Sequence, residues 1–248
     1  MGGVTSKAVA NNASPDPIPL LMTRPRAASE TFVASLSSDL RSHVTPIYSP
    51  LIRIAGLGVR ETLTASDAAV FTSTNGVVHG PSGQGRPAYC VGAATTAAAL
   101  KKGWNAQMRG ETAGALVANL VQNRPPERLI HLSGVHTRGD ICTKLKACGF
   151  LAHNIAVYDQ IAQPLSADAR AAIEAGNPLL VPLFSPRTSA QFLREASSPK
   201  SVYVVALSTA VAQELQATSF AGVTVASAPN ADAMRAALAS TLAALSSG

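Results

Sequence analysis

Short apolar runs alternate with alanine-rich stretches along almost the whole chain. The runs are Pro19–Thr23, Val44–Tyr48, Ala68–Ser73, Ala88–Gly92, Leu129–Ser133, Leu179–Ser185, Ser201–Ser208 and Val223–Ala228. Apolar residues at successive rather than alternate positions predict strands buried on both faces. Between them, Ala27–Leu40, Thr95–Lys102, Thr112–Gln122, Arg138–Ala147, Ala167–Ala175, Ala190–Ala196, Ala210–Gln216 and Ala231–Leu245 read as helices. In Thr112–Gln122 the pairs Leu116/Leu120 and Val117/Val121 fall one helical turn apart. Strands apolar on both sides, alternating with helices, predict an α/β fold of parallel sheets flanked by helices.

Two segments break the rhythm. Ser49–Ile54 and Asn154–Ala162 read as extended, and Pro50 and Pro164 lie at their margins. A chain that leaves one domain at the first segment and returns at the second forms a discontinuous domain with an insert. The expected division is a flexible leader, 1–17; one α/β domain, 18–48 plus 164–248; and an inserted α/β domain, 55–153. Segments 49–54 and 154–163 are the connectors, paired as two strands. A faint duplication supports two related units. Val70-Phe71-Thr72-Ser73 precedes Val91-Gly92-Ala93-Ala94-Thr95 much as Leu183-Phe184-Ser185-Pro186 precedes Ala206-Leu207-Ser208-Thr209.

Composition narrows the class. At 248 residues with 47% hydrophobic and 14% charged residues, the chain can bury a real core and is not disordered as a whole. No apolar run approaches the roughly 18 residues of a membrane span, so no membrane partner is expected. The 20 Lys and Arg exceed the 14 Asp and Glu, for a net charge of +6. The basic residues are scattered, with no run that would form a nucleic-acid tail. Aromatics, at 4%, are too few for a base-stacking surface. No nucleic-acid partner is therefore expected, and the excess charge suits an acidic small molecule. Three cysteines without framework spacing fit a reducing compartment, and the leader lacks a signal-peptide pattern. A cytoplasmic location follows.

Strand-to-helix corners are where chemistry is expected. Ser185-Pro186 reads as an N-cap followed by proline at the first helical position. Thr95 and Thr209 stand where the next helices begin. Such corners combine free backbone N–H groups, a helix dipole and a hydroxyl, which favour anions. At any single corner the same residues also serve as ordinary caps. There is no phosphate loop and no G-x-S-x-G elbow, and Pro87 spoils the G-x-G near Gly83 as a dinucleotide fingerprint. Cys142, Cys148 and Cys90 lack zinc spacing, and His131 and His136 read as surface or capping residues rather than ligands. No metal or cofactor is expected.

The residues then fall into a known order. Thr23-Arg24-Pro25, Phe71-Thr72-Ser73-Thr74-Asn75-Gly76-Val77, Val91-Gly92-Ala93-Ala94-Thr95 and Gly110-Glu111-Thr112 are followed by Gly134 with Arg138 and by Val157-Tyr158. Phe184-Ser185-Pro186, Ser208-Thr209-Ala210 and Ala228-Pro229 complete the series. In number, order and spacing these motifs resemble the uroporphyrinogen-III synthase family, from about Leu20 to Leu245. Between Gly76 and Val91, where the family often has a full helix, the short Gly/Pro-rich sequence predicts a loop.

The resemblance implies two α/β domains joined by a two-stranded connector, with the active site in the cleft between them. It implies a cyclising hydro-lyase that closes hydroxymethylbilane, a linear polycarboxylate tetrapyrrole, to uroporphyrinogen III with inversion of ring D and no cofactor. Loss of the terminal hydroxyl leaves an azafulvenium cation, so a weak acid beside that oxygen helps. Tyr158, of the V-Y motif, is the catalytic candidate, with a connector residue whose ring is packed and whose hydroxyl is in water as its plain alternative. Thr23, Arg24, Ser73, Thr95, Gly134, Arg138, Ser185, Ser208 and Thr209 are the substrate-binding candidates, since hydroxyls, amides and guanidinium groups suit carboxylates. A monomer in transient contact with the preceding bilane-forming enzyme is expected. The alternative is a non-catalytic two-domain clamp for an acidic small molecule.

Overall fold

The computed structural model describes residues 16–58, 63–137, 140–197, 199–215 and 219–246. The leader, apart from its last two residues, and Arg138 lie outside the described residues.

The chain opens with β1 (Ile18–Met22), α1 (Arg26–Ala34), α2 (Ser38–Ser42), β2 (Val44–Tyr48) and β3 (Ile52–Gly56). It continues through β4 (Asp67–Phe71), α3 (Thr74–His79), β5 (Pro87–Val91), α4 (Ala93–Lys101), β6 (Asn105–Gly110) and α5 (Ala113–Asn123). Then come β7 (Arg128–Gly134), α6 (Ile141–Ala147), β8 (Ala152–Ala162) and α7 (Ala167–Glu174). The last part holds β9 (Leu179–Leu183), α8 (Pro186–Glu195), β10 (Val202–Ala206), α9 (Thr209–Gln213), β11 (Gly222–Val225) and α10 (Ala231–Ser246). The chain divides into two compact units: unit 1 is Met1–Ile52 with Ala162–Gly248, and unit 2 is Arg53–Ile161.

Unit 1 is a five-stranded sheet in the order β11-β10-β9-β1-β2, with parallel pairing throughout. Its strands are apolar on both faces because both faces are covered. Leu21, Val181, Leu183, Val202, Val204 and Ala206 belong to a core with Ile173 of α7, Phe192 of α8 and Val211 of α9. The alternate residues Leu20, Met22, Leu180 and Val205 pack with Phe32 of α1, Leu40 of α2 and Met234, Leu238 and Leu242 of α10.

Unit 2 is a six-stranded sheet in the order β3-β8-β7-β4-β5-β6. From β8 to β6 the pairing is parallel. One face joins Phe71, Cys90 and Leu132 to Val77 of α3, Ala99 of α4 and Trp104. The other joins Val70, Tyr89 and Leu129 to Leu116 and Leu120 of α5 and Leu145 of α6. At the edge, Leu57 donates to the Val157 carbonyl (3.0 Å), and Gln163 donates to the Leu51 carbonyl (2.8 Å). Residue numbers rise along one segment as they fall along the other, so the connector segments run antiparallel.

The two strand orders are related. Matching β9, β10, β11, β1, β2 to β4, β5, β6, β7, β8 superimposes one order on the other. Unit 1 is thus a circular permutant of unit 2: its break falls between α10 and β1, where unit 2 has α5 leading into β7. The duplicated motifs sit at matching places, with Ser73 capping the helix after β4 and Ser185 capping the helix after β9.

Several elements depart from the sequence pattern. Strand β6, Asn-Ala-Gln-Met-Arg-Gly, carries no apolar run because it is an edge strand with largely exposed side chains. The expected helix Ala27–Leu40 is two helices, since Ser37 interrupts it and accepts from the Leu40 N–H at 3.2 Å to cap the second. The region after Gly76 is not wholly a loop: α3 persists to His79. Its carbonyl end is held by Lys102, whose Nζ donates to the carbonyls of Val77 (2.7 Å), Val78 (2.6 Å) and Gly80 (2.5 Å). A cation there also complements the helix dipole. Helix α6 starts at Ile141, where Asp140 accepts from the Thr143 N–H.

Candidate active site

In unit 2 the carboxyl ends of β4 and β7 open into a cleft of about 230 Å³. Thr72, His131, Ser133, Gly134, His136, Thr137 and Tyr158 supply its polar lining, and Ala113 and Ile141 its apolar part. Carboxyl ends of parallel strands are the usual ligand edge of such sheets. Whole drug-sized ligands occupy roughly 300–1,000 Å³. This cleft therefore suits one ring or side chain of a larger substrate rather than all of it.

Tyr158 is only 6% exposed, and its position is set by backbone register. Along β7 and β8, Ser133 pairs with Ala156 and Gly134 with Tyr158, so Val157 is an extra residue. Side chains normally alternate across a sheet. Here Val157 and Tyr158, although adjacent in sequence, belong to the same core cluster. A bulge that re-aims a side chain beside a site is a recurrent device. Gly134 makes room for the ring, because a Cβ there would lie 2.7 Å from Cε2 and 2.8 Å from Cζ. The His79 ring lies 6.0 Å away at 38°. Among the described residues, none hydrogen-bonds the Tyr158 hydroxyl.

Two histidines are among the lining residues: His131 is buried, against the expectation of a surface or capping residue, whereas His136 is exposed as expected. His131 is 4% exposed within β7, and its Nε2 lies 3.2 Å from Thr72 Oγ1. Burial pushes its pKa down, partly opposed by Asn154 and by the charge of Asp140, so it is neutral at physiological pH. His136 follows β7 and points Nε2 at Asp159 Oδ1, 3.6 Å away. Asp159 is the neighbour of Tyr158 in β8. Three of the five histidines, His79, His131 and His136, thus gather around Tyr158. Their spacing in sequence gives no sign of this, because β4, β7 and β8 bring them together through parallel pairing.

Other candidates take varied positions. Ser73 caps α3 by accepting from the Asn75 N–H (3.2 Å). Thr95 is 6% exposed in the first turn of α4, and the corner itself is formed by Gly92 at φ 75, a left-handed backbone that favours glycine. In unit 1, the parallel order β10-β9-β1 puts the Ser208, Ser185 and Arg24 corners on one sheet edge, roughly 5 Å apart per strand. Ser185 Oγ is committed to capping, accepting from the Thr188 N–H at 3.2 Å. Ser208 makes no side-chain cap bond, and Thr209 is exposed. Thr23 is fully buried, with Oγ1 unpartnered among the described residues. The Arg24 guanidinium lies 4.3 Å over the Phe184 ring, and partial burial lowers its pKa. Stacking fixes the guanidinium while leaving its N–H edge available for a carboxylate.

No group of three or more His, Cys, Asp or Glu among the described residues is placed to hold a metal ion, and no described helix is long and apolar enough to cross a membrane. The buried thiols of Cys90 and Cys142 are poor nucleophiles: burial pushes Cys90 up to about 11 and raises Cys142.

Two permuted α/β units with polar corners at the carboxyl edges of parallel sheets define a two-domain α/β protein. The family model described as uroporphyrinogen-III synthase HemD matches residues 34–236, which reach into both units. The chain belongs to the uroporphyrinogen-III synthase family, cyclising lyases of tetrapyrrole biosynthesis. The fold is similar to that of a uroporphyrinogen-III synthetase from Helicobacter pylori, with a TM-score of 0.65 and 16% identity over 91% of this chain and 99% of that one. It is also similar to a mutant uroporphyrinogen III synthase from the extreme thermophile Thermus thermophilus, with a TM-score of 0.50 and 16% identity over 93% of this chain and 100% of that one. No curated protein matches in sequence.

Proposed function

We propose that this chain closes hydroxymethylbilane to uroporphyrinogen III with loss of water and inversion of ring D. The family match across both units carries this reading. The net charge of +6 agrees with a substrate that bears carboxylates on every ring. In the Tyr158 cleft, sized for one ring, the terminal hydroxymethyl pyrrole is held with its leaving oxygen against the phenol. Tyr158 donates a hydrogen bond to that oxygen as the carbon–oxygen bond lengthens. Most of the rate comes from holding the bilane coiled so that the substituted carbon of ring D attacks first.

Carboxylates are taken up by hydroxyls and amides at the sheet edges: Ser73 in unit 2, and Ser185, Ser208 and Thr209 in unit 1. Arg24, stacked on Phe184, supplies a fixed cation, and Arg138 a second one in unit 2. The buried Thr23 and Thr95 support their corners from behind, and Gly134 seats Tyr158. The enzyme works without metal or organic cofactor, as a cytoplasmic monomer that receives its unstable substrate by transient contact with the bilane-forming enzyme.

The test is to mix the protein with freshly made hydroxymethylbilane, oxidise the product and resolve the uroporphyrin isomers by chromatography. Predominance of type III supports the reading. Predominance of type I, the spontaneous product, overturns it.

A further inference from the structure

A phenol is a weak acid for this task, since phenols ordinarily ionise near 10, whereas imidazoles ordinarily titrate near 6.5. Efficient proton donors titrate near the working pH. Two imidazoles line the Tyr158 cleft. His131 is buried and neutral, held at Nε2 by Thr72, and carries no spare proton. His136 is different: its side chain is 50% exposed at the cleft, and Nε2 faces Asp159 Oδ1 at 3.6 Å. That leaves Nδ1 as the ring nitrogen that can face a ligand. The other titratable groups about the cleft, among the described residues, include Tyr158 and Asp159 of β8, His131 of β7, His79 of α3, Asp140 ahead of α6 and, on α6, Cys142 beside His131 and Asp140, with Lys146 acting on both Asp140 and Cys142. Asp159 is the carboxylate that faces His136, and a base oriented by a carboxylate is a recurrent catalytic arrangement.

We infer that the imidazolium of His136, oriented by Asp159, is the acid that delivers the proton to the departing hydroxyl in the Tyr158 cleft. The inference rests on the synthase reading above. The imidazolium N–H bond breaks as an O–H bond forms. The carbon–oxygen bond then breaks with its electron pair on oxygen, water leaves, and the pyrrole nitrogen stabilises the carbon as the azafulvenium. After ring D has attacked and rearranged, the tetrahedral ring carbon releases a proton, and the neutral imidazole takes it back. One water is lost, and the enzyme returns to its starting protonation state. Tyr158 holds the leaving oxygen, and His136 supplies the proton.

The experiment measures kcat and KM for uroporphyrinogen III formation against pH, for the wild-type chain and His136→Gln, with free imidazole added to His136→Ala. The side chain is half exposed on a loop, so both variants should fold, which thermal melts will check. The inference expects the wild-type kcat to fall on the alkaline side with loss of one proton. It expects His136→Gln to lose about 10²-fold in kcat together with that limb, at nearly constant KM. Imidazole should restore part of the His136→Ala rate. A His136→Gln enzyme that keeps its rate and its alkaline limb overturns the inference, as does one that changes only in KM. A wild-type chain that gives no type III isomer overturns the synthase reading, and the inference with it.

Discussion

Gly134 and Tyr158 stand opposite one another across the β7–β8 pair, and the tyrosine ring occupies the space where any other residue would carry its Cβ. The contact joins a strand end to the aromatic ring of the proposed site, and it makes the ring's position testable apart from its hydroxyl. Gly134→Ala would place a methyl 2.7 Å from Cε2, so the ring must move. The expected outcome is at least a tenfold fall in kcat with a stability loss of about 1–3 kcal/mol. Steady-state kinetics and urea melts check both. An unchanged kcat would mean the ring does not serve catalysis.

Tyr158→Phe keeps the ring and removes only the hydroxyl, which has no hydrogen-bond partner among the described residues. Its stability cost should be under about 1 kcal/mol. The rate of type III formation should drop by about tenfold, since a hydrogen bond to the leaving oxygen is lost but the proton donor remains. Retention of the full rate would reduce Tyr158 to a packing residue.

Ser185 and Thr209 lie on one sheet edge with different commitments. Ser185→Ala removes the acceptor for the Thr188 N–H and should cost about 1 kcal/mol of stability. Thr209→Ala, at an exposed position, should leave stability unchanged and raise KM for the bilane. Thermal melts beside substrate titrations separate the two, and a Thr209→Ala enzyme with normal KM would leave this corner as a helix start only.

Asp67 is fully buried at the start of β4 and bonded to Arg128 Nε (2.7 Å) and Nη2 (2.9 Å). The Arg128 hydrogen bond is the largest influence on its carboxyl, which is held at about 2 against an ordinary 3.8. A depressed acid stabilises the fold above its unfolded value and ceases to do so as pH falls toward the folded one. The contribution, about 2 kcal/mol, should therefore vanish between about pH 4 and pH 2. Asp67→Asn should lose at least that much at neutral pH and show a flatter acid limb in urea melts. Identical acid limbs would contradict the assignment.

His131 gives a second pH dependence at milder acidity. Its pKa is lowered chiefly by burial, so above the ordinary 6.5 both the folded and unfolded chains are neutral there. As pH falls below 6.5, the unfolded chain takes up the proton first, and stability declines. His131→Gln should remove this dependence while retaining a partner for Thr72, as melts between about pH 7 and pH 5 would show.

Much of the fold is legible in the amino-acid sequence alone. Strands such as Leu179–Leu183 and Val202–Ala206 announce themselves because burial on both faces demands continuous apolar residues. Caps such as Ser185-Pro186 are local chemistry, readable from a few neighbours. The family followed from the order of short motifs that such strand ends carry. Strand β6 escaped because an edge strand with exposed side chains needs no apolar run, and the rest of α3 escaped because its carbonyl end is held by Lys102, more than twenty residues downstream.

The sequence by itself determined which segments are buried, where helices start and which chemistry the corners favour, because these depend on solvation and on neighbours along the chain. The tertiary structure decided what those residues face. Only parallel pairing of β4, β7 and β8 brings Thr72, His131, His136 and Asp159 around Tyr158. Only the bulge at Val157 turns two adjacent side chains to one side of the sheet. Side-chain direction in a strand alternates with register, and register is fixed by the partner strand, so the composition of the cleft is a property of the sheet rather than of any one segment.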